Sequence, residues 1–182
     1  MPSGLSVRIR AAARIDIPGI VDVALSSVSD EELVGFGGPN AESPYRDVTR
    51  LSAAWRDPNR VDSVDIFVAE TEGRVVGVAT VEDRGPELEL VDIDVTKSCQ
   101  GQGIGTNLVE FVEKAARTSG KSAVTLGTSR NAEGVPWKSL PWWLARGYTV
   151  TGEEENNWTR SIGPGTREIR MRKDLTQRTD PM

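Results

Sequence analysis

Hydrophobic positions along the chain change period several times, and each change marks an element. Val7 to Ala11 alternates as a first strand. Asp16 and Pro18 then open a helix carried by Val21, Ala24, Leu25 and Val28 at helical spacing. The run Gly35-Phe36-Gly37-Gly38-Pro39-Asn40 breaks that pattern and predicts a loop. A second helix is expected from Ser43 to Trp55, stopped by Asp57-Pro58.

The period then shortens. Asp65 to Glu70, Arg74 to Glu82 and Glu87 to Val95 read as three strands of a meander, joined by turns at Thr71-Glu72-Gly73 and Asp83-Arg84-Gly85-Pro86. A helix follows from Thr106 to Ser119, with Ile104, Leu108, Phe111, Val112 and Ala115 as its apolar stripe and Gly120 as its stop. Glu110–Lys114 and Glu113–Arg117 are expected as ion pairs on its wet side. Ala123 to Leu126 reads as a short buried strand, then a Trp/Pro-rich segment from Pro136 to Trp143. Tyr148 to Gly152 and Arg167 to Lys173 complete the strands, separated by a loop from Asn156 to Gly165. The order is α+β, in one domain spanning 1–182, with a core of about 7–175 and a tail at 176–182.

Between the meander and the long helix stands Gln100-Gly101-Gln102-Gly103-Ile104-Gly105. A strand, a glycine turn and a helix N-terminus make an anion site, because the first helical amides have no intrahelical acceptor. A P-loop would close with Gly-Lys-Ser/Thr, whereas this segment closes with Gly105-Thr106-Asn107. A dinucleotide fingerprint counted from Gly101 needs glycine at the position of Thr106, and its later acidic residue is missing.

Composition narrows the chemistry further. The chain has no histidine, which removes His-based triads, His general bases and His-ligated zinc. Its one cysteine, Cys99, excludes an internal disulfide and a Cys-rich metal site, so no metal is expected and a reducing, cytoplasmic setting is. No apolar run is long enough to span a membrane, and Met1 to Arg10 has no signal-peptide core. A net charge of −5 argues against nucleic-acid binding and fits a cationic small substrate.

The loop Gln100-x-x-Gly103-x-Gly105 resembles the acyl-CoA signature of the GNAT N-acetyltransferase superfamily. Upstream, Glu89-Leu90, Ile93 and Val95 resemble that family's fourth strand. Downstream, Pro136-Trp137, Pro141-Trp142-Trp143 and Gly147-Tyr148 are similar to its late aromatic and Gly-Phe segment. The resemblance covers about residues 7–175. It implies a three-layer α/β/α fold whose mixed, mostly antiparallel sheet splays between its fourth and fifth strands. Acetyl-CoA would lie in that gap as cosubstrate, with the backbone of Ile93 and Val95 on its pantetheine arm. The loop residues Gln100, Gly101, Gln102, Gly103, Ile104, Gly105 and Thr106 would hold its pyrophosphate.

The implied activity is acetyl transfer to a primary amine, small-molecule or peptide, by direct attack and without an acyl-enzyme. A carboxylate suffices to take the amine's proton. Glu89 is the first candidate base; on a regular strand it shares a face with Val91, Ile93 and Val95, with Asp92 and Asp94 opposite. Asp92 is a candidate for binding a cationic substrate, and the Val95 N–H is the oxyanion donor by analogy. Trp143 stands where the family often has tyrosine, and an indole cannot supply a proton to a thiolate; it is a candidate for binding substrate, and Trp137, Trp142 and Trp143 are expected to pack under the CoA groove with one indole lining the acceptor tunnel. Glu153-Glu154-Glu155 and Asp30-Glu31-Glu32 read either as solvated charge runs or as an acidic acceptor mouth. Cys99 reads as a small filler, since it has no histidine partner to activate it. A catalytically impaired acyl-CoA-binding or regulatory module is the alternative function, a nucleotide-binding protein a third, and a homodimer stays open.

Overall fold

Valine-rich alternation between Val64 and Asp83 builds the centre of a nine-stranded sheet. The computed structural model describes residues 6–27, 43–56, 60–61 and 64–176. Its first half contains β1 (Arg8–Ala11), α1 (Ile17–Ser26), α2 (Val48–Ala54), β2 (Trp55–Arg56), β3 (Arg60–Val61), β4 (Val64–Thr71), β5 (Arg74–Asp83) and β6 (Glu87–Val95). The second half contains α3 (Ile104–Thr118), β7 (Ala123–Arg130), α4 (Ser139–Leu144), β8 (Thr149–Glu154), α5 (Asn157–Ile162) and β9 (Arg167–Asp174).

The strands run β2-β3-β4-β5-β6-β7-β9-β8, with β1 beside β4. Pairing is antiparallel throughout the described strands except between β6 and β7. With the two-residue β2 and β3 set aside, that parallel junction joins the fourth and fifth strands, as the expected fold requires. Among the described residues no helix is long and apolar enough to cross a membrane.

Two cores lie on opposite faces of the sheet. Leu108 and Val112 of α3 bury against Leu126, Ile169 and Met171 on one face. Ile17 and Ile20 of α1 and Leu51 of α2 bury against Ile66 and Val68 on the other. The period of two along β4 supplies both: Ile66 and Val68 point one way, Phe67 and Ala69 the other.

Several local expectations change. The helix expected from Ser43 begins at Val48, because Asp47 caps it by accepting the Arg50 amide at 2.8 Å. Trp55 leaves that helix for strand β2. Helix α3 starts at Ile104, two residues early, and its buried stripe takes in Val109 and Ala116, leaving Phe111 and Ala115 half-buried. Glu113, expected on the wet side, is buried under β9. There Lys173 Nζ donates to both its oxygens at 2.8 and 2.9 Å and the Tyr148 hydroxyl donates at 3.2 Å. The stretch expected as a loop from Asn156 contains α5, whose first turn is closed by a reciprocal Asn156–Thr159 cap. Strand β7 runs on to Arg130 because β9 pairs with its whole length. Val28, Asp30-Glu31-Glu32, Gly35 to Asn40 and the tail after Thr176 lie outside the described residues.

Candidate active site

The parallel pairing of β6 with β7 covers Glu87–Ala123, Leu88–Val124 and Glu89–Thr125, and stops there. Beyond Glu89, β6 continues to Val95 with no register partner on its β7 side, so the strands part into a slot. Its β6 wall, Leu90 to Val95, is roughly 20 Å long at about 3.3 Å per residue, enough for an extended ligand arm. Ile93 and Val95 both lie on this wall.

A glycine loop with the geometry of an anion cradle stands at the open end. Gly101 and Gly103 have φ of 75° and 83°, the left-handed region that glycine enters without strain, and a Cβ on either would meet nothing within 4 Å. The first helical bond of α3 runs from the Asn107 amide to the Gly103 carbonyl at 3.0 Å, which leaves the Ile104, Gly105 and Thr106 amides as outward donors. Gln100 Nε2 donates to the Val95 carbonyl at 3.0 Å, tying the loop to the strand end, and Gln102 Nε2 donates to Ser98 at 3.3 Å. The structure therefore gathers Gln100 to Thr106 at one end of the slot.

On the acceptor side, a bulge rewrites the expected faces. Thr80 pairs with Asp92 but Val81 pairs with Leu90, so Val91 is an extra residue in β6. Leu88 and Leu90 face α3 before it, and Ile93 does after it. Glu89 consequently shares a face with Asp92 and Asp94, away from α3, instead of with Ile93 and Val95.

Asp92 is exposed on this face of β6 and Asp94 beside it is half-buried, and the surrounding protein still takes water from both carboxyls. That desolvation, and secondly the neighbouring Asp94, push the Asp92 carboxyl up to about 7 against an opposing pull from Arg46. Burial also raises Asp94, opposed by the Ser27 hydroxyl, which donates at 2.9 Å, and by Arg46. Ser27 comes from the end of α1 and is itself buried. Glu89 is held differently: Arg84 Nε donates to one oxygen at 2.7 Å and Arg170 Nη1 to the other at 3.0 Å.

The tryptophans also separate. Trp143 is only 4% exposed and packs edge-on against Trp142 and Tyr148, inside the α3-side core. It is therefore not the accessible ring of a tunnel wall. Trp142 is half-buried against the loop, its Cζ2 3.6 Å from where a Cβ on Gly105 would lie. Cys99 is half-buried against the same core, as a filler would be. Glu153 pairs with Arg130 and Arg167, and Glu155 with Arg160, along β8 and its end.

Ser27, Arg46, Arg146 and Arg170 were not singled out in the sequence. Each stands in its own element and joins the site only through the fold. Arg170 did carry one signal, as the polar residue between inward-facing Ile169 and Met171 on β9.

Solved structures share this architecture. An N-acetyltransferase from Staphylococcus aureus Mu50 superposes with a TM-score of 0.68 at 20% identity, over 93% of this chain and 99% of that one. The ribosomal-protein-S18-alanine N-acetyltransferase from Escherichia coli gives 0.67 at 14% identity, over 97% and 99%. The PaiA N-acetyltransferase from Thermoplasma acidophilum, solved in complex with coenzyme A, gives 0.64 at 14% identity, over 93% and 99%. The sequence model of the acetyltransferase (GNAT) family matches residues 25–135, from the end of α1 through the slot and the glycine loop to the far side of β7. The chain belongs to the GNAT family of acetyltransferases.

Proposed function

We propose that this single domain transfers the acetyl group of acetyl-CoA to a cationic primary amine, on a small molecule or a peptide, with Asp92 taking the proton. The observation that carries the reading is the Asp92–Asp94 pair on the face of β6 away from α3, on the same strand that walls the slot. Two neighbouring carboxylates attract an ammonium, and one whose affinity for protons lies near neutrality can relieve that ammonium of its proton.

The cradle fits the cosubstrate. Open space over Gly101 and Gly103, with the donors of Ile104 to Thr106, suits a pyrophosphate, and the edge of Ile93 and Val95 suits a pantetheine arm. Acetyl-CoA supplies an activated acyl thioester. The neutral amine nitrogen bonds to the thioester carbon and the carbon–sulfur bond breaks. The ammonium's proton passes to Asp92 before attack; the proton the nitrogen sheds as the amide forms goes to water, and the thiolate, whose free pKa is about 8.5, collects a proton from water. The Val95 N–H is assigned as donor to the developing oxyanion. A leaving group that departs as thiolate requires no aromatic acid. Glu89, engaged by two arginines, is assigned an anchoring part in place of the base role expected for it.

The test is a panel of amines incubated with acetyl-CoA and read by mass spectrometry. At least one primary amine should gain an acetyl group. Asp92→Asn should then cut turnover by about 100-fold or more while CoA binding is kept. Glu89→Gln should cut it far less. Undiminished turnover in Asp92→Asn removes it from the proton-accepting role. CoA binding without product from any amine favours an acyl-CoA-binding module that has lost catalysis.

A further inference from the structure

At its closed end the slot is crossed, on the face away from α3, by a chain of charged side chains. Asn156 Nδ2 donates to Glu168 at 2.5 Å. Arg170 Nη1 donates to Glu168 Oε1 at 2.8 Å and to Glu89 Oε1 at 3.0 Å, and Arg84 holds the far oxygen of Glu89. Glu168 and Arg170 belong to β9 and Glu89 to β6, so the chain passes over β7, which lies between them.

It passes at Gly127. This glycine is the register partner of Arg170 and stands two residues beyond Thr125, where β7 leaves β6. Glycine weakens a strand interior, so its presence there asks for a reason. The reason is space: a Cβ on Gly127 would fall on the Glu168 carboxylate.

A ligand whose phosphates sit at the α3 end of the slot runs back along Leu90 to Val95 with its acyl group towards Glu89 and Thr125. This orientation rests on the acetyl-CoA reading above. We propose that the Glu168–Arg170–Glu89 chain is the stop that limits the acyl group to acetyl size. A longer acyl chain would press apolar surface against three paired ions, stripping water from them without offering a hydrogen bond. A methyl group ends short of that contact.

The test is calorimetric titration of the full chain with CoA and with its acetyl, butyryl and hexanoyl thioesters. In the wild type, hexanoyl-CoA should bind about tenfold or more weakly than acetyl-CoA, a gap of about 1.4 kcal/mol. The Glu168→Ala/Arg170→Ala double variant removes both ions together, so neither is left buried and unpaired, and should narrow the gap to about threefold or less. Gly127→Ala displaces the Glu168 carboxylate with every charge retained, and should change the same ratio if the double variant folds poorly. Equal binding of acetyl- and hexanoyl-CoA by the wild type overturns the proposal, as does an unchanged ratio in a folded variant of either kind. Failure of every CoA species to bind the wild type is a different result: it removes the acetyl-CoA site itself, and this proposal with it.

Discussion

The Arg146 guanidinium lies 3.3 Å from the centroid of the Trp142 ring and donates to Thr106 Oγ1 at 2.6 Å. Since Trp142 rests against Gly105, α4 and Arg146, two residues beyond it, brace the first turn of α3 from outside. A cation over an indole contributes about 0.5–2 kcal/mol, and the bond to Thr106 about another 1–2.

Arg146→Ala should therefore weaken CoA binding by about tenfold, measured by titration calorimetry, with a loss of about 2 kcal/mol in denaturant unfolding. Arg146→Lys should recover little, because an ammonium has no planar face to lay on Trp142. Full CoA affinity in both variants would show that the loop holds its shape without this brace.

The Asp92 carboxyl gives a pH profile with a definite sign. As the proton acceptor it works when ionised, so kcat/KM for the amine should climb with pH and level off above about 7. Stability runs the other way. The folded state keeps a proton that the unfolded chain, with a value of 3.8, releases; the resulting stabilisation is full below 3.8 and is lost as pH rises through about 7. Melting midpoints across that window should fall less in Asp92→Asn than in the wild type. A variant that melts in parallel with the wild type at every pH would contradict the raised Asp92 carboxyl.

Removing Lys173 exposes the cost of a buried carboxylate. Glu113 is 6% exposed in its side chain, and Lys173 bonds both of its oxygens. Lys173→Met should destabilise the fold by about 1–3 kcal/mol in urea unfolding, the range for a lost hydrogen bond to a charged group. Arg117, 3.8 Å away, and the Tyr148 hydroxyl keep the loss from being larger. Restoring the cation as Lys173→Arg should return most of it.

The long elements were legible because their patterns are strong. The β4–β5–β6 meander declares itself through β-branched residues and glycine turns, and α3 through a stripe that only one face can bury. The cradle was legible too, since Gly101 and Gly103 do what only glycine does easily. The acceptor side was not. One extra residue, Val91, moves every side chain after it to the other face, and nothing in the order Leu-Val-Asp-Ile announces where the count slips. Trp143 was read from its motif position, but burial is decided by neighbours such as Tyr148. The pairing of Glu89 with Arg170 was invisible because the two lie 81 residues apart.

The two cores meet only at the sheet. Leu108 can be repacked without touching Leu51, and the helices over the acceptor face can be rebuilt while the α3 side stays as it is. On the proposed reading, one half of the molecule can change in sequence while the other keeps its hold on acetyl-CoA. A fold divided in this way lets its choice of acceptor evolve at little risk to its grip on the donor.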